Sequence, residues 1–383
     1  MADIKGLLGQ RPNPEKLSSF VTPPYDVIKP GSPLEAHFEE NPDSLFHITL
    51  GSDPVSTFEQ FIANKILLPD TEPCFYVYEQ SWSGNTRTGV LAAINVDDYA
   101  EHNIIRHEKT FDKKVQGRIA LAQATGYSFE PIFFLTQSDI HPVLESVLQN
   151  YTPLYAFNPD FNGFSDLHQV ATKIYRVPEA SVEGQALKDE TSKNPLYIAD
   201  GHHRYHAALR NNQKQTLGYI VQNAQIQAYN RVVNGKVNFA DIKDRLDLKP
   251  CAEFQTPPKH SFCIYSSEGP FLLDAKSIPE DVLGKLDCSI LEKELYPHLG
   301  VTHDMIMDEN CFDYYPEFEI PEMKKLVDEA KFDIALALHP VSVQELIDVA
   351  DAGLKNPEIV MPEKSTFFSP KILSGLILFN HSA

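Results

Sequence analysis

Residues Leu196 to Leu209 read L-Y-I-A-D-G-H-H-R-Y-H-A-A-L, a run that leaves the backbone few paths. Leu196, Tyr197, Ile198 and Ala199 form a short apolar stretch suited to a buried strand. Asp200 and Gly201 break it. From His202 to Leu209 the residues suit a helix, with Ala207, Ala208 and Leu209 on its inner side. Asp200, Gly201, His202, His203 and Arg204 therefore sit where a strand turns into a helix. Free backbone N–H groups and the positive end of the helix dipole point out of such a turn. Gly201 lets a ligand approach the backbone, and Arg204 offers a planar fork for phosphate. The turn reads as an anion site, above all a nucleotide phosphate site. The plainer alternative is a capped helix with histidines and an arginine on its surface.

The rest of the chain bounds that reading. Its 383 residues can bury a sizeable core and suggest two domains or lobes. Prolines return between Asp247 and Pro258, which divides the chain into a main lobe over residues 1–250 and a C-terminal lobe over 251–383. The net charge of −20 argues against direct binding to nucleic acid or an anionic membrane, because both need a basic face. Cys74, Cys251, Cys263, Cys288 and Cys311 are scattered, with no C-x-x-C pair. They indicate neither zinc nor a disulfide framework, and fit reduced thiols in a cytoplasmic protein. The N-terminal apolar run is too short for a signal peptide, and no run of about eighteen apolar residues would span a membrane.

Other polar segments interrupt apolar runs. Thr22 to Ile28, T-P-P-Y-D-V-I, is stiffened by Pro23 and Pro24 and presents Tyr25 and Asp26 at the end of an extended arm. Asn41 to Leu50 reads as a turn and a strand, with Phe46, Ile48 and Leu50 on one face and His47 on the other. Val55 to Leu67 has helical spacing. Cys74 to Trp82 and Thr86 to Val96 form a hairpin. Arg106, His107, Glu108 and Lys109 then stand together inside I-I-R-H-E-K-T-F, Ile104 to Phe111. They offer an acid or base and two cations, the mixture that phosphoryl transfer needs, although a solvated turn reads as well. Arg231 follows a weakly alternating run from Leu217 to Tyr229. Lys259 to Tyr265 and Pro270 to Asp274 form a second hairpin, and Asp287 to Leu299 an amphipathic helix. Lys364, Ser365 and Thr366 lie in M-P-E-K-S-T-F-F-S-P-K-I-L-S-G-L, without the glycines of a P-loop.

Six segments, T-P-P-Y-D-V-I, N-P-D-S-L-F-H-I-T, R-H-E-K-T-F, D-G-H-H-R-Y-H-A-A-L, N-R-V-V and M-P-E-K-S-T-F-F-S-P-K-I-L-S-G-L, occur in this order. Together they resemble the domain of unknown function (DUF) 1015 family, whose members are often labelled SpoOJ-regulator-like. Asp-Gly-His-His-Arg is also similar to the phosphate-binding box of the ParB/sulfiredoxin superfamily, and to its version in the free serine kinases. That resemblance implies an α+β (mixed α/β) protein with a ParB/sulfiredoxin-like core and long flanking elaborations. It maps Gly201, His202, His203 and Arg204 to phosphate ligands and Asp200 to the neighbourhood of a metal. The same kinases use a glutamate as acceptor base, for which Glu108 is the substitute here, with Asp26 and His107 behind it.

The expectation is a phosphotransferase that uses ATP or ADP with Mg²⁺ and acts on a small, serine-like hydroxyl compound. Lys109, Arg231 and Lys364 would neutralise phosphate charge, and Ser365 and Thr366 join them as candidate phosphate-binding residues. Two other classes use the same turn: a nucleotide-binding regulator without catalysis, and a nucleotide or phosphate-ester hydrolase with water as acceptor.

Overall fold

The structure is a computed structural model that describes residues 1–110, 112–235, 239–362 and 364–381. Phe111 and Glu363, which belong to two of the motifs above, lie outside the described residues. Helices and strands are mixed throughout, and the protein is of the α+β class. No helix among the described residues is long and apolar enough to cross a membrane.

The chain divides into two compact units, Met1–Ala224 with Pro370–Ala383, and Gln225–Ser369. The boundary thus falls earlier than the return of prolines near residue 250. The reason is Tyr229–Val233, a strand that already pairs with Ile334–Leu338 and Phe312–Pro316 in the second unit's sheet. The closing residues return to the first unit, where Leu378–Asn380 pairs with Gly9–Pro12 and Tyr127–Ser128.

The first unit is built on a nine-stranded mixed sheet. Its path runs Ile104–Ile105, Leu196–Asp200, Ile132–Thr136, Gln215–Val221, Asn85–Asn95, Cys74–Trp82, Ala171–Pro178 and Tyr155–Phe157. The Cys74–Trp82 and Asn85–Asn95 hairpin is the one read from the sequence. Leu196–Asp200 runs parallel to Ile104–Ile105 and antiparallel to Ile132–Thr136. This pairing carries the Arg106–Lys109 segment to the end of the strand that holds Asp200. Ile198, Phe134, Ile220, Val90 and Tyr205 are fully buried in one hydrophobic cluster of this unit.

The second unit has a six-stranded antiparallel sheet, which includes the expected hairpin Ser261–Ser266 and Gly269–Asp274. Asp287–Leu299 is two helices, Asp287–Glu294 and Tyr296–Leu299, because Pro297 opens the second.

Two local expectations are corrected. Residues 46–49 form a short helix, Phe46–Thr49, where alternation suggested a strand. The Ser44 hydroxyl accepts from the Phe46 N–H at 3.2 Å, and His47 Nε2 lies 2.9 Å from the Asn41 carbonyl. Such local side-chain bonds offer the backbone an alternative to a ladder, and Leu50 is left exposed. The helix beginning at Pro54 ends at Ala63, and Leu67 opens a strand.

Leu378 is fully buried in a cluster with Phe20, Phe58, Phe61 and Phe129. Leu378→Ala should therefore lower stability by about 2–5 kcal/mol, the usual cost of emptying a core leucine site. A fall in the urea midpoint with an unchanged m-value would register it.

Candidate functional site

The strand Leu196–Asp200 delivers Asp200 to the sheet's end, and the chain turns at Gly201 with φ of +96°. Glycine alone takes that conformation without strain. A Cβ there would also stand 2.9 Å from Arg204 Nε, so the guanidinium uses the space a side chain would fill. The helix His202–Arg210 begins at Gly201 without a side-chain cap, and the first N–H groups of a helix have no partner inside it.

Asp200 Oδ2 lies 2.6 Å from Lys371 Nζ. Burial alone would push the Asp200 carboxyl up. The Lys371 ammonium and the Arg204 guanidinium outweigh it and hold the group well below the usual carboxylate range. Arg204 Nη1 donates to the Pro131 carbonyl at 2.5 Å. Burial works against its charge, and Glu130, Asp200 and Asp26 more than restore it.

Glu130 ties distant segments to this point. Its Oε1 accepts from the Tyr25 N–H at 2.8 Å and from the Ser374 hydroxyl at 3.3 Å. Its Oε2 lies 3.7 Å from Arg118 Nη1, and the Arg118 guanidinium lies 3.8 Å from the Tyr25 ring centroid. Burial, reinforced by Asp26, pushes the Tyr25 phenol up to about 12. Arg118, Glu130 and Arg204 line a cavity of about 50 Å³ with Gln213 and Thr216.

On the other side stand two histidines. His202 Nε2 accepts from the His107 N–H at 3.5 Å, which leaves the ring proton on Nδ1. That atom faces Glu108 Oε2 at 3.6 Å, while Glu108 Oε1 lies 3.9 Å from His107 Nε2. The two rings meet edge to face at 4.5 Å. Both histidines are buried, whereas Glu108 is partly open to solvent.

The first unit thus brings together Asp26, His107, Glu108, Asp200, Gly201, His202 and Arg204. His203 is half-buried on the helix's first turn, and Lys109 is exposed. Arg231, Lys364, Ser365 and Thr366 belong to the second unit. Arg231 is buried there, with Nε donating to the Tyr296 hydroxyl at 3.2 Å, Nη1 to the Tyr229 carbonyl, and the Tyr314 ring alongside. Lys364 Nζ lies 5.5 Å from the Tyr229 ring centroid, and the Ser365 hydroxyl donates to the Pro362 carbonyl at 2.6 Å.

Sequence reasoning missed Lys371, Glu130 and Arg118. Lys371 lies in the quoted S-P-K-I-L, and Glu130 is the lone charge in F-E-P-I-F-F-L. A charge set in an apolar run is a usable signal, since buried charges require partners. Arg118 carries no such mark.

Burial drives His107 down to about 4 and His202 well below its ordinary value, with His107 adding to the latter. Both are buried neutral, whereas the unfolded chain takes up protons on them near pH 6.5. Stability should be fully present above about pH 6.5 and fall as pH drops toward 4, by on the order of 3 kcal/mol from His107 alone. Urea midpoints across pH 4–8 measure this, and His107→Gln should flatten the profile.

Among solved structures, the chain is similar to a free serine kinase variant in complex with AMP. The identity is 11% and the TM-score 0.38, covering 73% of this chain and 86% of that one. A conserved hypothetical protein from Pyrococcus furiosus is similar at 11% identity and a TM-score of 0.39, covering 77% and 96%. SbnI with a C-terminal truncation, from Staphylococcus aureus, is similar at 13% identity and a TM-score of 0.39, covering 75% and 86%. No curated protein matches the chain. The family described as Protein of unknown function (DUF1015) matches residues 4–289, and the chain belongs to it.

Proposed function

We propose that the first unit binds an adenine nucleotide, ATP or ADP, by its phosphates and transfers a phosphoryl group to a small hydroxyl-bearing molecule. One observation carries this reading: an uncapped helix start behind Gly201, with Arg204 against it, stands beside a carboxylate that two buried histidines flank. The resemblance of Asp-Gly-His-His-Arg to a phosphate-binding box supports it.

In this reading the N–H groups of Gly201 to His203 receive phosphate oxygens, with the helix dipole favouring their charge. Arg204 and the exposed Lys109 offset it. His202 is turned inward toward Glu108, so its part is to orient that carboxylate, and His203, half-buried on the first turn of the helix, is the histidine assigned to the phosphates. Glu108 takes the proton of the acceptor hydroxyl as its oxygen bonds to the terminal phosphorus, and the bond to the nucleotide's leaving oxygen breaks. Asp26, exposed on the 3-10 turn Tyr25–Val27 that replaces the expected extended arm, is the second candidate base.

Mg²⁺ enters this reading only with the nucleotide. Among the described residues no three His, Cys, Asp or Glu side chains form a metal-binding group, and Asp200 already holds Lys371. The residues do not fit a metal centre built from protein ligands alone.

Arg204→Lys keeps the charge but loses the planar fork, and should weaken ADP binding about tenfold or more by calorimetry. Glu108→Gln should leave ADP affinity intact and reduce phosphoryl transfer to candidate alcohols about a hundredfold or more. Full turnover by Glu108→Gln would remove the base assignment. Binding without any product, or free phosphate alone, would favour a regulator or a hydrolase.

A further inference from the structure

Residues 370–373 are held by side chains that come from far along the chain. Gln80 Nε2 donates to the Lys371 carbonyl at 2.9 Å, and Arg87 Nη2 donates to the Pro370 carbonyl at 2.5 Å. The Lys371 N–H donates to Asp166 Oδ2 at 2.9 Å, and the Leu373 N–H donates to the Tyr78 hydroxyl at 3.3 Å. Gln80, Arg87 and Tyr78 are all buried. Burying an amide, a guanidinium and a phenol is unfavourable unless each finds a partner, and here all three spend a hydrogen bond on one short stretch of backbone. The result is a lysine whose main chain is fixed at three consecutive points. Its Nζ stands 2.6 Å from Asp200, the residue that opens the Gly201 turn. A surface-type ion pair needs no such support, whereas a group that must meet a ligand at a set place does.

We infer that Lys371 is a phosphate-binding residue: its ammonium, held at the turn by Asp200, contacts a phosphate oxygen of a nucleotide seated on Gly201–His203. This rests on the phosphate-site reading and adds to it a residue from the far end of the chain. The chemistry is that of a compact, three-donor point charge on a phosphate.

The test is the affinity of the full chain for ADP and for adenosine, by calorimetry. Lys371→Gln alone leaves Asp200 without its ammonium and so endangers the fold; the comparison is therefore made in an Asp200→Asn background as well, where no carboxylate is orphaned. In each background Lys371→Gln should weaken ADP about tenfold or more and leave adenosine unchanged, while Lys371→Arg stays within about threefold of its parent. ADP affinity that ignores Lys371→Gln would overturn the inference and leave the phosphate site standing. Equal losses for ADP and adenosine would also overturn it, since they would mark Lys371 as structural. If the unsubstituted protein binds neither AMP nor ADP, the phosphate-site reading itself fails, and the inference with it.

Discussion

A carboxylate drawn partly out of water needs compensation, and Asp200 is the point where this chain meets that constraint. Desolvation raises the free energy of its charged form, and only cations at close range reverse the sign. The cations come from two places: Arg204, one helical turn onward, and Lys371, far along the chain. Each brings dependants. Arg204 draws in Glu130, which in turn fixes the N–H of Tyr25 and the hydroxyl of Ser374. Lys371 draws in Asp166, Gln80 and Arg87. Asp200 thus stands at the centre of one polar network of the first unit, which joins segments far apart in the chain.

Such a network favours fixed geometry over adaptability. Hydrogen bonds in a low-dielectric setting hold their members in place, because displacement costs each bond made. Glu108 differs from it. Its oxygens lie 3.6 Å from His202 Nδ1 and 3.9 Å from His107 Nε2. Asp200 is paired with the Lys371 ammonium, whereas Glu108 faces the rings of His202 and His107.

Much of this was legible in the residues. The strand–turn–helix at 196–210 could be read because apolar run, glycine and helix-forming residues follow one another without conflict, and the hairpin at 74–95 because its turn is marked by Ser83, Gly84 and Asn85. Phe46–Thr49 was misread because alternation over five residues says little when Ser44 and Asn41 can bond the backbone locally. Of the site, Asp200 to Arg204 and Glu108 could be found, since their spacing is local. Lys371 could not, because its meaning depends on a contact across 171 residues. Nor could the inward turn of Arg231 be read, as an arginine in N-R-V-V gives no sign that Tyr296 and Tyr314 will close around it.

The path of the chain also sets an order of events. The second unit, residues 225–369, is inserted between the body of the first unit and its final segment. During synthesis the first 224 residues leave the ribosome with Asp200 in place but without Lys371, Ser374 or Leu378. Domains usually fold as they emerge, N-terminal first; here residues 1–224 are joined by residues of their own unit only after the insert has been made. A polypeptide released anywhere within the insert would display the whole Asp-Gly-His-His-Arg turn and yet lack the ammonium that steadies it.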